Sequence, residues 1–560
     1  MNKKNIVNNT ILFVVIIAFI NIFNMMFGDI NSVVGVTVIT SGLILLQRDL
    51  TGAPVENLIN LIAINLFTGI FAYIASINLW IGIPINFIAL FVVGYFFSSN
   101  LKEPVVIGFG LQYLFMLFTP VSGREFGLRL ISLVFGAFFI MGLQLLANKN
   151  KLKKSFKSIF VGVLSDLISS LESEAKVYDS ATEKINKLKK IVYEGRKKSF
   201  YLCDEGKRVT NIIYLLERLN IIFENKEDIQ EGEFNKHVSK CLLNLKIGIE
   251  NNDFSEIHVA YFEREISKEN VRVIKSLKGL VDECSALSKV DSKVSLQVYN
   301  IPEKFKTIKV MKDNFSLESL KVSYALRLAI IGTISIFIVD FFKIPQGKWM
   351  VYTVFSLTQP YAESSKIRTR QRVEGTIIGA FIVLVAFTFI QDGALRGLVI
   401  LLAGYLNPYA KDYKKVMILV TVSAVAAAAI EGGAIEFIMQ RVLFVIAGAL
   451  LAMLASKFII PYHLKDGNDE LKLGYLKVIK TMKEDIIENK DDNIVKSLYL
   501  LPAFLEDKFK STNIDEKELE LLAEFADKKR RAINEVYSIY YFMDGKENKE
   551  LEMPLELVME

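Results

Sequence analysis

Arg372-Val373-Glu374-Gly375-Thr376-Ile377-Ile378-Gly379 marks the change from a basic stretch to an apolar run. Lys366, Arg368 and Arg370 stand just before it, and apolar residues continue after it to about residue 390. The pattern predicts a helix over 373–390 that Arg372 opens at a charged membrane flank, with the preceding basic residues in a loop. Gly375 and Gly379 give that helix a face where a second backbone, that of the short preceding helix, can come close. Upstream, Gln359-Pro360 ends a shorter apolar run led by Trp349, and Arg327 lies just inside the run before that. Apolar runs that alternate with charged breaks read as helices in a membrane.

The composition agrees. Of 560 residues, 52% are hydrophobic and 40 are Phe, and the mean hydropathy is +0.35. A soluble chain of this size normally falls below zero on that scale. The apolar residues gather in two blocks, each long enough for six crossings of about 20 residues. Helices are expected near 10–27, 33–46, 57–75, 79–97, 104–119 and 128–147, then near 325–342, 348–360, 373–390, 394–407, 414–431 and 438–460. Gly28, Pro54, Pro104, Pro120, Pro345, Pro360 and Pro408 interrupt the runs. The first run has no small-x-small cleavage pattern after it and reads as a retained helix.

The expected architecture is an all-α polytopic membrane protein of two parallel six-helix transmembrane repeats with a helical cytoplasmic insert and tail. Its parts are a first transmembrane block (1–147), a cytoplasmic helical insert (148–320), a second block (321–462) and a cytoplasmic helical tail (463–560). Lys and Arg concentrate in alternate connections, which places both termini and the central charged stretch in the cytoplasm of a multi-pass cell-membrane protein. Trp80 and Trp349 fall at outer helix ends, as in an aromatic belt. Arg129-x6-Gly136-Ala137 matches Arg441-x6-Gly448-Ala449 at an offset of 312, which also relates Gln47 to Gln359. In the insert, Phe160, Val163, Leu164, Leu167 and Leu171 form a helical stripe, as do Ile212, Leu215, Leu216 and Leu219. Tyr475, Ile479, Met482 and Ile486 do the same in the tail, so insert and tail are expected to pack together. Residues 305–310 alternate weakly and predict a short strand or an extended connector.

No phosphate loop, His-Glu-x-x-His or Gly-x-Ser-x-Gly occurs, so the chain is not read as an enzyme and no cofactor is expected. Cys203, Cys241 and Cys284 form no Cys-x-x-Cys pair, and three scattered histidines offer no metal site. The net charge of +6 comes with no nucleic-acid-binding module. What remains is polar chemistry inside the apolar blocks, where charge is expensive and usually functional.

Over residues 320–460 the order Arg327, Trp349, Gln359-Pro360 and Arg372-x-x-Gly375-Thr376-x-x-Gly379 resembles the fusaric-acid-resistance and aromatic-acid-exporter family. The resemblance implies export of small organic anions, aromatic carboxylates among them, driven by the proton gradient. A passive organic-anion channel and a non-transporting scaffold or sensor are the alternatives. The expected partners are the anion and the lipid bilayer; a homo-oligomer and an adaptor protein are compatible but unspecified. Arg372, supported by Arg327, is expected to draw an anion toward Tyr352, Thr353 and Gln359, which lie on one of two short helices in matching repeat positions. Arg129 and Arg441 are expected to line an outer vestibule or to pair with Glu125 and Glu436. Glu374, ahead of Asp340 and Glu431, is the candidate for proton coupling, and it could instead pair with Arg372. The first block has no clear copy of Arg-x-x-Gly-Thr-x-x-Gly, which counts against a functionally symmetric pathway.

Overall fold

A computed structural model describes residues 3–98, 105–148, 151–172, 178–196, 201–224, 232–251, 253–254, 257, 268–290, 315–429, 434–488, 491–509 and 516–542. Among them are twenty α-helices and no β-strand. The first apolar block holds α1 (Lys3–Phe27), α2 (Ser32–Leu45), α3 (Pro54–Ile77), α4 (Leu79–Phe97), α5 (Val105–Leu117) and α6 (Arg124–Asn148). Five charged helices follow: α7 (Lys151–Glu172), α8 (Tyr178–Glu194), α9 (Asp204–Glu224), α10 (Glu233–Asn251) and α11 (Lys268–Ser288). The second block holds α12 (Leu320–Phe341), α13 (Lys348–Leu357), α14 (Ala362–Phe389), α15 (Gly393–Leu406), α16 (Tyr413–Ala428) and α17 (Ala434–Phe458). The tail is α18 (Leu464–Glu488), α19 (Asp492–Phe509) and α20 (Glu516–Phe542). The expected strand or connector at 305–310 lies outside the described residues, as does Glu431.

Seven helices, α1, α3, α4, α6, α12, α14 and α17, are long and apolar enough to cross a membrane. The others in the blocks are shorter, and α13 has only 10 residues. At about 1.5 Å per residue it covers roughly half of a 30 Å hydrocarbon layer. On α15, Leu395, Leu398, Leu401 and Leu402 are exposed and only Ala403 is buried, the outward-apolar pattern of a lipid-facing helix.

One helix boundary needs correction. Lys366, Arg368 and Arg370 do not form a loop, because α14 begins at Ala362 and they make its first turns. Pro360 and the extended Tyr361 stop the preceding chain, after which Lys and Arg are good helix formers. Arg372 therefore sits about three turns inside α14, roughly 15 Å from its start. Hydropathy alone cannot separate a charged helical extension from a charged loop.

The blocks interlock. α12 packs along α4, where a Cβ on Gly94 would lie 3.0 Å from Ala325 Cα. α1 touches α15 through Phe13 and Tyr405, whose ring centroids are 5.5 Å apart, so the first helix of each block rests on the fourth of the other. Within blocks, α6 packs on α2 and α17 packs on α13. A Cβ on Gly136 would stand 2.5 Å from Val38 Cγ2, and one on Gly448 would stand 2.7 Å from the Met350 carbonyl. Both residue pairs are related by 312.

The second block then departs from the first. α2 packs against α5 and α3 against α4, but no comparable packing joins α13 to α16 or α14 to α15 among the described residues. The short helices α2 and α13 do not face each other as a pair either, because α5 comes between, with Gly110 under the Phe355 ring. α14 packs on α16, as α3 does on α5, and there a Cβ on Gly379 would meet the Ile418 carbonyl at 2.7 Å and Thr421 Cβ at 2.9 Å. The helix that approaches Gly375 and Gly379 is thus α16, not the short α13. A backbone carbonyl cannot rotate away, so Gly379→Ala should force the helices apart at about 1–3 kcal/mol. Its thermal midpoint in detergent should fall by several degrees, while Gly393→Ala, with open space around it, should leave the midpoint unchanged.

The charged helices share a separate core. Apolar residues of α7–α11 and α18–α20 form one cluster that also takes in Leu320, Tyr361 and Tyr462 from the edge of the second block. At its centre the buried Lys189 ammonium donates to both oxygens of Glu217, at 2.6 and 2.8 Å. Tyr499 and Asn534 also donate to Glu217, so this pair meets the requirement that a buried ion pair be fully hydrogen-bonded. The junction is polar as well: Glu470 of α18 accepts from Tyr462 OH at 2.6 Å and from Leu320 N at 3.1 Å.

Candidate functional site

Four arginines are buried in the apolar blocks, and their surroundings divide them into two kinds. Arg327, two turns inside α12, is 0% exposed. Its guanidinium donates to the carbonyls of Gln359 (2.9 Å), Pro360 (3.3 Å), Ile459 (3.2 Å) and Ile460 (2.8 Å), and to Ser323 Oγ (3.4 Å). Those carbonyls lie where α13 and α17 have ended and lost their intrahelical donors. Ile460 is held at φ 45°, a strained conformation that this clamp supports. Arg129 works alike in the first block, donating to Asn31 Oδ1 (3.0 Å), Thr119 O (2.7 Å) and Ile30 O (3.2 Å). These two arginines spend their donors on the fold.

Arg372 and Arg441 differ. Arg441, on α17, is 3% exposed, and its Nε and Nη1 have no hydrogen-bond partner among the described residues. Its Cζ lies 3.8 Å from the centroid of the Trp349 ring. Arg372, on α14, is 6% exposed; its Nη1 meets the Met417 sulfur, a weak acceptor, and its Nε has no partner. The two are near enough for the charge of Arg372 to act on Arg441. Neither expected acid pairs with Arg129 or Arg441 among the described residues, and Glu436 instead accepts from Gln440 at 3.0 Å. Two buried guanidinium groups of the second block thus have no carboxylate partner among the described residues.

Thr369 and Thr376, three before and four after Arg372, lie on the same face of α14. Both are buried and both hydroxyls lack a partner. Thr369 was not singled out in the sequence because the helix was expected to start at 373, and Thr376 stood in the quoted motif without a role of its own; with α14 beginning at Ala362, the spacing 369, 372, 376 becomes a continuous polar stripe. In the first block the polar core between α3 and α5 is instead made of neutral groups: Gln112 Nε2 donates to Asn65 Oδ1 (3.1 Å) and Thr68 Oγ1 (2.9 Å).

The other expected residues fall around this centre. Tyr352 is buried edge-on to Trp349 (5.6 Å), Phe115 (5.0 Å) and Phe118 (5.8 Å), forming an aromatic wall. Thr353 returns its hydroxyl to Trp349 O at 2.7 Å and packs its methyl on Gly448. The Gln359 amide donates to Ser356 O at 2.9 Å. Glu374 is bound by Arg370 Nε at 2.8 Å and Lys414 Nζ at 2.6 Å, not by Arg372, which points from another side of the helix. No cluster of three His, Cys, Asp or Glu side chains able to hold a metal occurs among the described residues.

An all-α polytopic membrane protein with an arginine-bearing second block is what fold and site define. Residues 334–455 match the family described as fusaric acid resistance protein-like, which supports a place for the chain in a family of that kind. The matched span contains Trp349, Arg372 and Arg441. A 73-residue stretch is 36% identical to an uncharacterized protein of Haemophilus influenzae, covering 13% of this chain and 10% of that protein. The chain thus spans about a tenth of the length of the curated relative it matches. No solved structure matches it.

Proposed function

We propose that this protein moves small organic anions across the cell membrane and that Arg372 and Arg441 hold the anion. The supporting observation is that both guanidinium groups are buried without an acidic partner among the described residues. An uncompensated buried charge costs several kcal/mol even after relaxation. A ligand that brings the counter-charge offsets that cost, and one with a carboxylate can meet a guanidinium through two parallel hydrogen bonds. The unbonded hydroxyls of Thr369 and Thr376 extend the polar surface along α14, and the Tyr352 wall supplies apolar contact. The double ion pair of Glu374 favours a structural role for that carboxylate over proton carriage.

Counterflow of labelled organic acids in proteoliposomes tests the reading. The native protein should accumulate at least one labelled acid against preloaded unlabelled acid, and failure with every acid of a broad panel would reject it.

The proposal places both chain termini and the charged helices in the cytoplasm. Native thiols report on this. Burial pushes the Cys241 thiol up to about 11 and the Cys284 thiol higher still, so both stay protonated and shielded near neutral pH. Cys203 is exposed. A maleimide should therefore modify one thiol per folded chain, and in intact cells a membrane-impermeant maleimide should modify none until the membrane is opened. Labelling of Cys203 from outside would reverse the orientation.

A further inference from the structure

Trp349 is the second residue of α13, and the chain reaches it through a strained turn. Lys343 (φ 51°) and Gln346 (φ 56°) are two of the three non-glycine residues at positive φ among the described residues, and they bracket Pro345. Such conformations persist only where the surroundings impose them. Here the turn is followed by Gly347, where an added Cβ would lie 2.8 Å from the Val339 side chain, so the backbone is pressed onto the end of α12. The result is that the Trp349 indole lies over the Arg441 guanidinium with Cζ 3.8 Å from the ring centroid. The ring covers the cation while its Nε and Nη1 remain without a partner among the described residues. The indole also meets Tyr352 edge-on at 5.6 Å, and Phe115 and Phe118 brace Tyr352 in turn.

A guanidinium donates in its own plane, so a ring stacked on its face does not compete for those donors. It fixes the plane and strips water from one side. A planar two-oxygen acceptor gains from a plane held in advance, because both hydrogen bonds form without a further loss of side-chain freedom. A spherical anion has no plane to match and gains little.

Resting on the assignment of Arg372 and Arg441 as the anion site, we propose that Trp349 is its positioning and specificity residue: by stacking on Arg441 it orients the guanidinium for carboxylates over halides. An aromatic-belt residue would lack this effect on selectivity.

The test uses the purified full-length protein in detergent, with labelled benzoate as the probe and chloride as the competitor. Trp349→Ala should weaken benzoate binding about tenfold while changing the chloride concentration that displaces it by less than about twofold after correction for benzoate affinity. Trp349→Phe, which keeps a stacking face, should stay within about threefold of native. In a Trp80→Phe background Trp349 is the sole indole, and its emission should change saturably with benzoate and not with benzyl alcohol. Equal weakening of benzoate and chloride by Trp349→Ala, or none, with binding still lost in Arg441→Gln, would overturn the role of Trp349 and leave the anion site standing. Benzoate binding that is absent from the native protein, or unchanged in Arg441→Gln, would overturn both.

Discussion

Arg372→Gln and Arg441→Gln should each cut anion binding and counterflow by roughly 30-fold or more, with no loss of folded protein. A charge-assisted pair in a dry site is worth about 2–4 kcal/mol, and about 2 kcal/mol is already 30-fold. Arg372→Lys keeps the charge but not the two-pronged geometry, so it should recover only part of the loss. Lys366→Gln, on the exposed side of the same helix, should change little beyond a screened surface charge. The stability of the empty protein carries a second signature. Both arginines are buried with no acidic partner among the described residues, so removing one should hold or raise the thermal midpoint of the unliganded protein. The stabilisation that a saturating anion gives the native protein should vanish in the same variants. Normal exchange in both glutamine variants would remove the anion-site assignment, and a fall in the unliganded midpoint would make these arginines structural.

Arg327 should behave in the opposite way. Arg327→Gln removes a group that ties four carbonyls at the ends of α13 and α17 and the Ser323 hydroxyl of α12. Leaving such groups buried and unpaired should cost on the order of 3–5 kcal/mol, a large part of the 5–15 kcal/mol that holds a typical fold. The expected result is loss of the monodisperse peak in size-exclusion chromatography of the solubilised protein, before any transport is measured. Arg327→Lys should not rescue it, because one ammonium cannot reach all five acceptors. A well-folded Arg327→Gln protein that fails only to bind anions would move Arg327 into the site.

The contrast between these arginines shows where sequence reading stops. The helices themselves were legible, because runs such as 128–147 and 438–460 are long, apolar and bounded by glycine, proline or charge. The shared core of insert and tail was legible too, in stripes such as Ile212, Leu215, Leu216 and Leu219. The start of α14 was not: Lys366, Arg368 and Arg370 look the same to hydropathy in a helix or a loop. Nor could the four arginines be sorted, since Arg129 and Arg441 occupy matching positions 312 apart. Arg129 finds Asn31 and two carbonyls, whereas Arg441 finds an indole. That difference is set by which chain ends happen to arrive beside each guanidinium, and no single helix encodes it. Thr369 stayed hidden for the same reason as the start of α14.

The interlocking of the two blocks has a consequence for how the protein is made. α4 needs α12 as its packing partner, yet more than two hundred residues separate Phe97 from Leu320. At about 5–20 residues per second a ribosome takes roughly 10–45 s to cover that distance. Throughout that interval the small-residue face of α4 around Gly94 waits in the bilayer for a partner not yet synthesised. The charged helices face the same delay, since α7–α11 emerge before the second block while α18–α20, which complete their core, emerge after it. The membrane body can close once α17 is made, but the charged body must wait for α20, so truncation between Phe97 and Leu320 should strand α4, and truncation after Phe458 should strand the charged helices, as targets for membrane proteolysis.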